Sequence, residues 1–308
     1  MSWPAERGPT GRPPSGAPGN SGRSDAPPRI PWEDASMSLV RTLRILASQR
    51  PSLPPRSVAD PSRVRRVRYD HVPVTWIDPE LASTATIVHL HGGAYVQGES
   101  RQTWEWLEEV ARRAGTAGAM IHYRLAPRHR YPAAVDDVLR ALADMQRETV
   151  LRPRRWVLSG DSAGAGLALA VAQTLAATGV DAPAALLLES PWSDLSREDH
   201  GEESLKVAAR LYAGAVPRTE PRLSPALGDL TGLPPVHLVG GDRDPLVHDG
   251  RRLIAALAAA GAEHEVLELP GSGHQVAVAA DGPAAQEARR FQIAAVRAAL
   301  GIDERAAR

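Results

Sequence analysis

The chain contains no cysteine, which excludes disulfides, a thiolate nucleophile and cysteine-ligated metal. It has a single phenylalanine, Phe291, and a single lysine, Lys206, among 36 basic residues. Positive charge carried almost wholly by arginine reads as a GC-rich coding bias rather than a function. Net charge is also missing, because 36 acidic residues balance the basic ones. That removes the electrostatic basis for a nucleic-acid partner. No apolar run approaches the roughly 20 residues that span a bilayer, so stable membrane insertion is not expected. No apolar h-region follows the start, so no secretory signal is predicted. The cysteine-free composition fits a cytoplasmic location.

Residues 1–36 are rich in Pro, Gly, Ser and Arg and poor in aliphatics. Such a segment buries too little apolar surface to offset its ordering entropy, and a disordered tail is expected. Met37 opens the first foldable segment, so translation from Met1 or from Met37 is compatible with the pattern. From 37 to 308, strand signals alternate with helical ones, which predicts one α/β domain with a mostly parallel sheet. Eight strands are expected: Val64–Tyr69, Val74–Ile77, Thr86–Leu90, Ala119–Tyr123, Trp156–Leu158, Ala184–Glu189, Val236–Val239 and Glu263–Leu269. The first two are predicted to form an antiparallel hairpin at the sheet edge. Helices are expected near Trp104–Ala114, Ala133–Arg147, Ala163–Ala177, Leu246–Ala260 and Pro283–Ala299.

The most informative segment is Gly160-Asp161-Ser162-Ala163-Gly164, which joins a short apolar strand to an Ala/Leu-rich helix. A serine on so sharp a strand–turn–helix needs small residues two before and two after it, and both positions are glycine. Ser162 is therefore a nucleophile candidate, against the plainer reading of a helix N-cap. Asp161 beside it reads as structural. Upstream, the strand Thr86–Leu90 runs into His91-Gly92-Gly93-Ala94. Glycines at a strand end leave backbone N–H groups open to a ligand. With that of Ala163, the amides of Gly92 and Gly93 are candidates to hold an oxyanion. Downstream, Asp242 and Asp244 compete as the acid in one loop after a strand, and His274 follows the last strand in a glycine-flanked loop. Serine, then aspartate, then histidine is the chain order of one form of the hydrolytic triad. His89 and His91, two apart on a strand, share a face, but no third ligand of fitting spacing accompanies them and no metal is expected. Arg124 with Asp136 or Asp137 reads as a structural ion pair. Glu189 and Ser190 end a strand near the nucleophile, where a role in aligning a water is conceivable.

Between roughly Val64 and Leu300, the chain resembles the hormone-sensitive-lipase-like esterases of the α/β-hydrolase fold. The resemblance rests on His91-Gly92-Gly93-Ala94, Tyr123-Arg124-Leu125-Ala126-Pro127, Tyr131-Pro132-Ala133-Ala134 with Asp136 and Asp137, Gly160–Gly164, Ser190-Pro191-Trp192, Asp244-Pro245-Leu246 and Gly273-His274. It implies Ser162, Asp244 and His274 as the catalytic residues, with Asp244 preferred over Asp242. Structural support is expected from His91, which reads as fixing its loop by hydrogen bonding, and from Arg124 with Asp136. Small helical lids are implied near 37–50, where Leu39, Val40, Leu43 and Leu46 share a helical face, and near 194–230. A membrane-surface helix is the alternative for the first. The chain departs from the family at Ala94 (usually a third glycine), at Arg128 (commonly Glu) and at Gln275-Val276 (often Gly and an aromatic).

The expected function is a cofactor-free serine carboxylesterase acting on short-chain acyl (acetyl) esters or lactones through an acyl-enzyme. An amide or N-acetyl hydrolase, or a lactone-forming tailoring enzyme, would use the same residues. A ligand-binding protein on the same fold is the alternative of another class, disfavoured because every catalytic position is filled. The partner is a small-molecule ester or lactone, and a homodimer through the edge strand or last helix is compatible.

Overall fold

The computed structural model describes residues 48–199 and 202–303. The expected tail over 1–36, the Met37 start and the first lid, apart from residues 48–50, lie outside the described residues. Eight strands form one sheet in the order β1-β2-β4-β3-β5-β6-β7-β8. They are β1 (Val64–Tyr69), β2 (Val72–Ile77), β3 (Thr86–Leu90), β4 (Ala117–Ile121), β5 (Trp156–Asp161), β6 (Leu186–Glu189), β7 (Val236–Gly241) and β8 (His264–Leu269). β2 runs antiparallel to both neighbours, and all other pairings are parallel. The helices are α1 (Arg101–Ala114), α2 (Ala133–Arg147), α3 (Ala163–Thr178), α4 (Glu203–Ala213), α5 (Val247–Ala259), α6 (Val276–Ala279) and α7 (Pro283–Leu300).

Successive strand residues face opposite sides of a sheet, so a strand covered on both faces must be apolar throughout. β3 shows this: all five of its residues are buried. Val88 and Leu90 join the core beneath α2, α3 and α5, while Ile87 joins the core beneath α1, α6 and α7. α3 lies inside the first layer and carries apolar residues around its whole circumference, as a buried helix must. α1 is amphipathic instead. Ser100 and Thr103 close a capping box at its start, and Gly115 ends it in the left-handed conformation (φ 78°).

From β3 the chain crosses to β4 on one side and then returns to β5 on the other. The order therefore reverses between β3 and β5, and the loops leaving these strands diverge to open a crevice at their carboxyl ends. The oxyanion-loop candidate and Ser162 emerge at this crevice.

Strand edges differ from the sequence expectation in an instructive way. β5 runs three residues further, to Asp161, because Ser159 and Gly160 pair with both β3 and β6 and Asp161 pairs with Glu189 of β6. β4 begins at Ala117 and stops at Ile121, since its register is set by β3 and not by its own pattern. The segment 194–230 contains α4 and a 3-10 turn at Pro225–Leu227. α4 lies within the helical lid expected near 194–230, whereas α6 was not predicted.

Candidate active site

Ser162 stands between β5 and α3 at φ 52°, ψ −118°, a strained geometry for a residue with a side chain. Neighbouring backbone holds it there. Its N–H donates to the Glu189 carbonyl at 2.8 Å, and its carbonyl accepts from the Trp192 N–H at 3.1 Å. The turn closes only because its flanks are glycine. A methyl at Gly164 would collide with the carbonyl oxygens of Leu90 and His91, and one at Gly160 with the Gly164 carbonyl.

The Ser162 Oγ lies 3.0 Å from His274 Nε2, and His274 Nδ1 lies 2.9 and 3.0 Å from the two oxygens of Asp244. A carboxylate can only accept, so Nδ1–H donates to Asp244 and Nε2 is left to accept from the serine hydroxyl. Asp244 is buried, and its Oδ1 also accepts from the Leu246 N–H at 2.7 Å. Burial raises its pKa, but the hydrogen bond and charge of His274, the Ser190 hydroxyl and the Leu246 amide outweigh this and hold the carboxyl below its ordinary value. Burial opposes charge on His274 too. The hydrogen bond and charge of Asp244, with Asp161 and Glu189 behind it, win and raise the imidazole above its ordinary value. Asp242, the competing acid, instead accepts the Gly271 N–H at 2.7 Å and does not touch His274.

The candidate oxyanion loop departs from the expectation at one residue. The Gly92 N–H donates to Asp161 Oδ1 at 3.0 Å, so it is engaged inside the protein. Among the described residues, the amides of Gly93, Ala94 and Ala163 carry no such acceptor. Gly93 (φ 106°), Ala94 (φ 53°) and Tyr95 (φ 62°) turn through the left-handed region in succession. This places Ala94, and not Gly92, beside Gly93 as the second free donor of the loop. The side chain of Asp161, invisible as a hub in the sequence, sets this arrangement. It accepts from His89 Nε2 at 3.0 Å, from Gly92 N–H and from the Gln275 side-chain amide. His89 in turn accepts from the Ser159 hydroxyl through Nδ1 at 3.0 Å, which makes it a satisfied core residue tilted against Trp106.

His91 braces the loop from behind. Its Nδ1–H donates to the Gly92 carbonyl at 2.7 Å, and its ring stacks on Tyr123 at 4.4 Å. The Tyr123 hydroxyl donates to the His91 carbonyl at 2.5 Å. Burial holds the His91 imidazole below its ordinary value. Glu99 lies 3.9 Å from His91 Nε2 and 3.3 Å from His122 Nδ1, and also accepts from the Ser52 N–H and hydroxyl. Burial alone would raise its pKa. The hydrogen bond and charge of His122, the charge of His91 and the Ser52 contacts reverse this and keep it well below the usual carboxylate range. Nothing local in the sequence marks Glu99, because its partners come from three separate segments.

Arg124 pairs with Asp137 and not with Asp136. Its Nε and Nη2 approach Asp137 at 2.7–3.0 Å, and its backbone N–H donates to the same carboxylate at 2.9 Å. Asp137 falls on the buried face of α2 with Ala134, Val138 and Ala141, whereas Asp136, about 100° around the helix, reaches Arg222 at 3.4 Å. Glu189 is buried with both oxygens occupied, so it is not placed to align a water.

Residues 87–278 match the family described as the alpha/beta hydrolase fold. An acetyl-hydrolase of Streptomyces hygroscopicus is 37% identical over 221 residues, covering 68% of this chain and 73% of that protein. The chain belongs to the hormone-sensitive-lipase-like α/β hydrolases. A carboxylesterase of Mycobacterium tuberculosis is 32% identical to this α/β hydrolase over 266 residues, covering 77% of this chain and 82% of that protein. Among solved structures, an esterase from the bacterial hormone-sensitive lipase family superposes with a TM-score of 0.70 at 26% identity, covering 87% of this chain and 99% of that one. Among the described residues of the hydrolase, no helix is long and apolar enough to cross a membrane.

Proposed function

We propose that this α/β hydrolase is a serine carboxylesterase with Ser162, His274 and Asp244 as its triad. The observation that carries the reading is the unbroken chain from Ser162 Oγ through His274 to Asp244, at 3.0 and 2.9 Å. Ser162 attacks the ester carbonyl as its proton passes to His274 Nε2. Asp244 keeps the imidazole in the accepting tautomer and stabilises the imidazolium that forms. The amides of Gly93, Ala94 and Ala163 take the oxyanion, each worth about 3 kcal/mol of barrier. Collapse of the tetrahedral intermediate expels the alcohol, which receives the proton from His274. Water, deprotonated by the same imidazole, then releases the acid.

Short acyl groups, acetyl above all, are the proposed substrates, in esters or lactones. The chain that follows the candidate oxyanion loop is locked in aromatic packing, which we take to limit the acyl side. Tyr95, which follows the oxyanion loop, stacks at 3.9 Å on Tyr212 of α4 and lies 6.1 Å from Trp192, and all three are buried. α4 therefore serves as a cap that shortens the acyl side. Relatives named as an acetyl-hydrolase and a carboxylesterase support the same reading. The absence of cysteine fits a cytoplasmic enzyme, and a homodimer through β1 or α7 is the assembly to look for by light scattering. Hydrolysis of p-nitrophenyl esters from acetate to decanoate tests the function. Turnover of the short esters, abolished in Ser162→Ala, supports it. Turnover that survives in the variant sinks it, and a well-folded protein active only on amides would move the assignment to that class.

A further inference from the structure

Glu189 is a buried carboxyl that the triad does not use. It ends β6, opposite Asp161 in the sheet, and is 2% exposed. Oε1 accepts the N–H groups of Ala277 and Val278 at 2.6 and 3.3 Å. Oε2 accepts from the Gln292 side-chain amide at 3.1 Å, and Gln292 is held in turn by the Trp106 indole N–H at 2.8 Å. The backbone carbonyl of Glu189 receives the Ser162 N–H. One residue thus grips the nucleophile's main chain and the main chain three and four positions beyond His274. The same loop is tied twice more, by Gln275 N–H to Ser190 Oγ at 2.9 Å and by the Gln275 side chain to Asp161.

No arginine or lysine contacts this carboxyl among the described residues. A buried acid without a cation is costly, and an apolar side chain would fill a strand end at no such penalty. Burial, with the nearby charge of Asp161, pushes Glu189 up to about 7, while its amide donors hold it back. The cation it does face, through the loop it clamps, is the imidazolium that forms on His274. Among the charged or titratable groups on the elements packed around it are Asp161 on β5, His89 on β3, His237 and Asp244 on and after β7, Glu109 on α1 and Arg289 on α7. Arg289 is committed to the Ala277 carbonyl and to Glu109, so it does not neutralise Glu189.

We propose that Glu189 is a positioning residue for His274: its carboxyl clamps residues 277 and 278 to the end of β6 and, when ionised, adds a negative charge that favours the imidazolium. It takes no proton from Ser162; that proton goes to His274 Nε2. The proposal rests on the esterase reading for its kinetic part and, for its electrostatic part, on the hydrogen bonds that hold the Glu189 carboxyl against the His274 loop, with the charge that reaches His274 through it.

Two variants separate the parts. Glu189→Gln keeps shape and removes the charge, whereas Glu189→Asp keeps the charge and draws it back by one methylene. His274 is titrated by NMR of its imidazole, assigned by its loss in His274→Gln, and turnover of p-nitrophenyl acetate is followed in parallel. Glu189→Gln is expected to lower the His274 pKa by about half a unit, and with it the acid limb of kcat/KM. Glu189→Asp is expected to leave that titration in place while kcat falls about tenfold and KM changes less than about twofold. An unchanged His274 titration in Glu189→Gln overturns the proposal, as does wild-type kcat in Glu189→Asp. A lower melting temperature with both readouts unchanged also overturns it, because that is what a merely structural residue would give. If Glu189→Gln does not fold, Glu189→Asp decides on kcat. If the wild-type protein hydrolyses no ester, the esterase reading fails, and the His274 titration still decides the electrostatic part.

Discussion

At the scale of single residues, Ser162, His274 and Asp244 from three separate loops form one hydrogen-bonded chain, and if they act as the proposed triad their removal is expected to be non-additive. Ser162→Ala should abolish ester turnover. Asp244→Asn should keep the fold but lower kcat by about 10³–10⁴-fold, because an amide no longer dictates the His274 tautomer. Asp242→Asn, one turn of the loop away, should cost far less, and stopped assays of both variants distinguish the two candidate acids. The pH dependence follows from His274. Its neutral form is the base, and its pKa is raised above 6.5, so kcat/KM should climb with pH through a midpoint above that value. An acid limb centred clearly below pH 6.5, where an ordinary histidine titrates, would contradict the structure's electrostatics.

At the scale of elements, the strand–turn–helix at Ser162 and the strand–loop at His91 were legible from the sequence. Both depend on local demands: small residues at a tight turn and apolar residues in a strand covered on both faces. Gly164→Ala illustrates the first. Its methyl would enter the Leu90 and His91 carbonyls, so β3 and α3 must separate. A loss of about 1–3 kcal/mol in urea unfolding and a larger loss in activity are expected. The Arg124 pairing shows the limit of pattern. Asp136 and Asp137 are equivalent as neighbours in a string, and only the burial of one face of α2 selects Asp137. Asp137→Asn should therefore cost about 1–3 kcal/mol of stability, since it also receives a backbone N–H. Arg124 itself is 38% exposed, which lets water relieve its unpaired charge and keeps the cost near the lower end. Asp136→Asn should change stability by less than about 0.5 kcal/mol. α4 falls inside the lid expected near 194–230, but its bounds were not legible, because its apolar face meets Tyr95 and Tyr131 from distant segments.

At the scale of the whole molecule, the sheet order brings the loops after β3, β5, β7 and β8 to one crevice. The aromatic cap formed with α4 is expected to give acetate and butyrate esters higher kcat/KM than decanoate. Tyr212→Ala, which opens the stack against Tyr95, should shift that preference toward longer chains, and the p-nitrophenyl ester series reads both.

Motif resemblance pointed to the hydrolase fold, and the sequence by itself determined a mostly parallel α/β domain, the serine at its strand–turn–helix and the histidine after its last strand. These follow from periodicity, turn chemistry and chain order, which are local or one-dimensional properties. The tertiary structure alone decided that Gly92 spends its amide on Asp161, that Asp137 and not Asp136 holds Arg124, and that Glu189 grips the His274 loop. Each of those is a hydrogen bond between residues remote in the chain. A buried carboxylate takes whichever donors the fold brings within reach, and no spacing in the sequence records which they are.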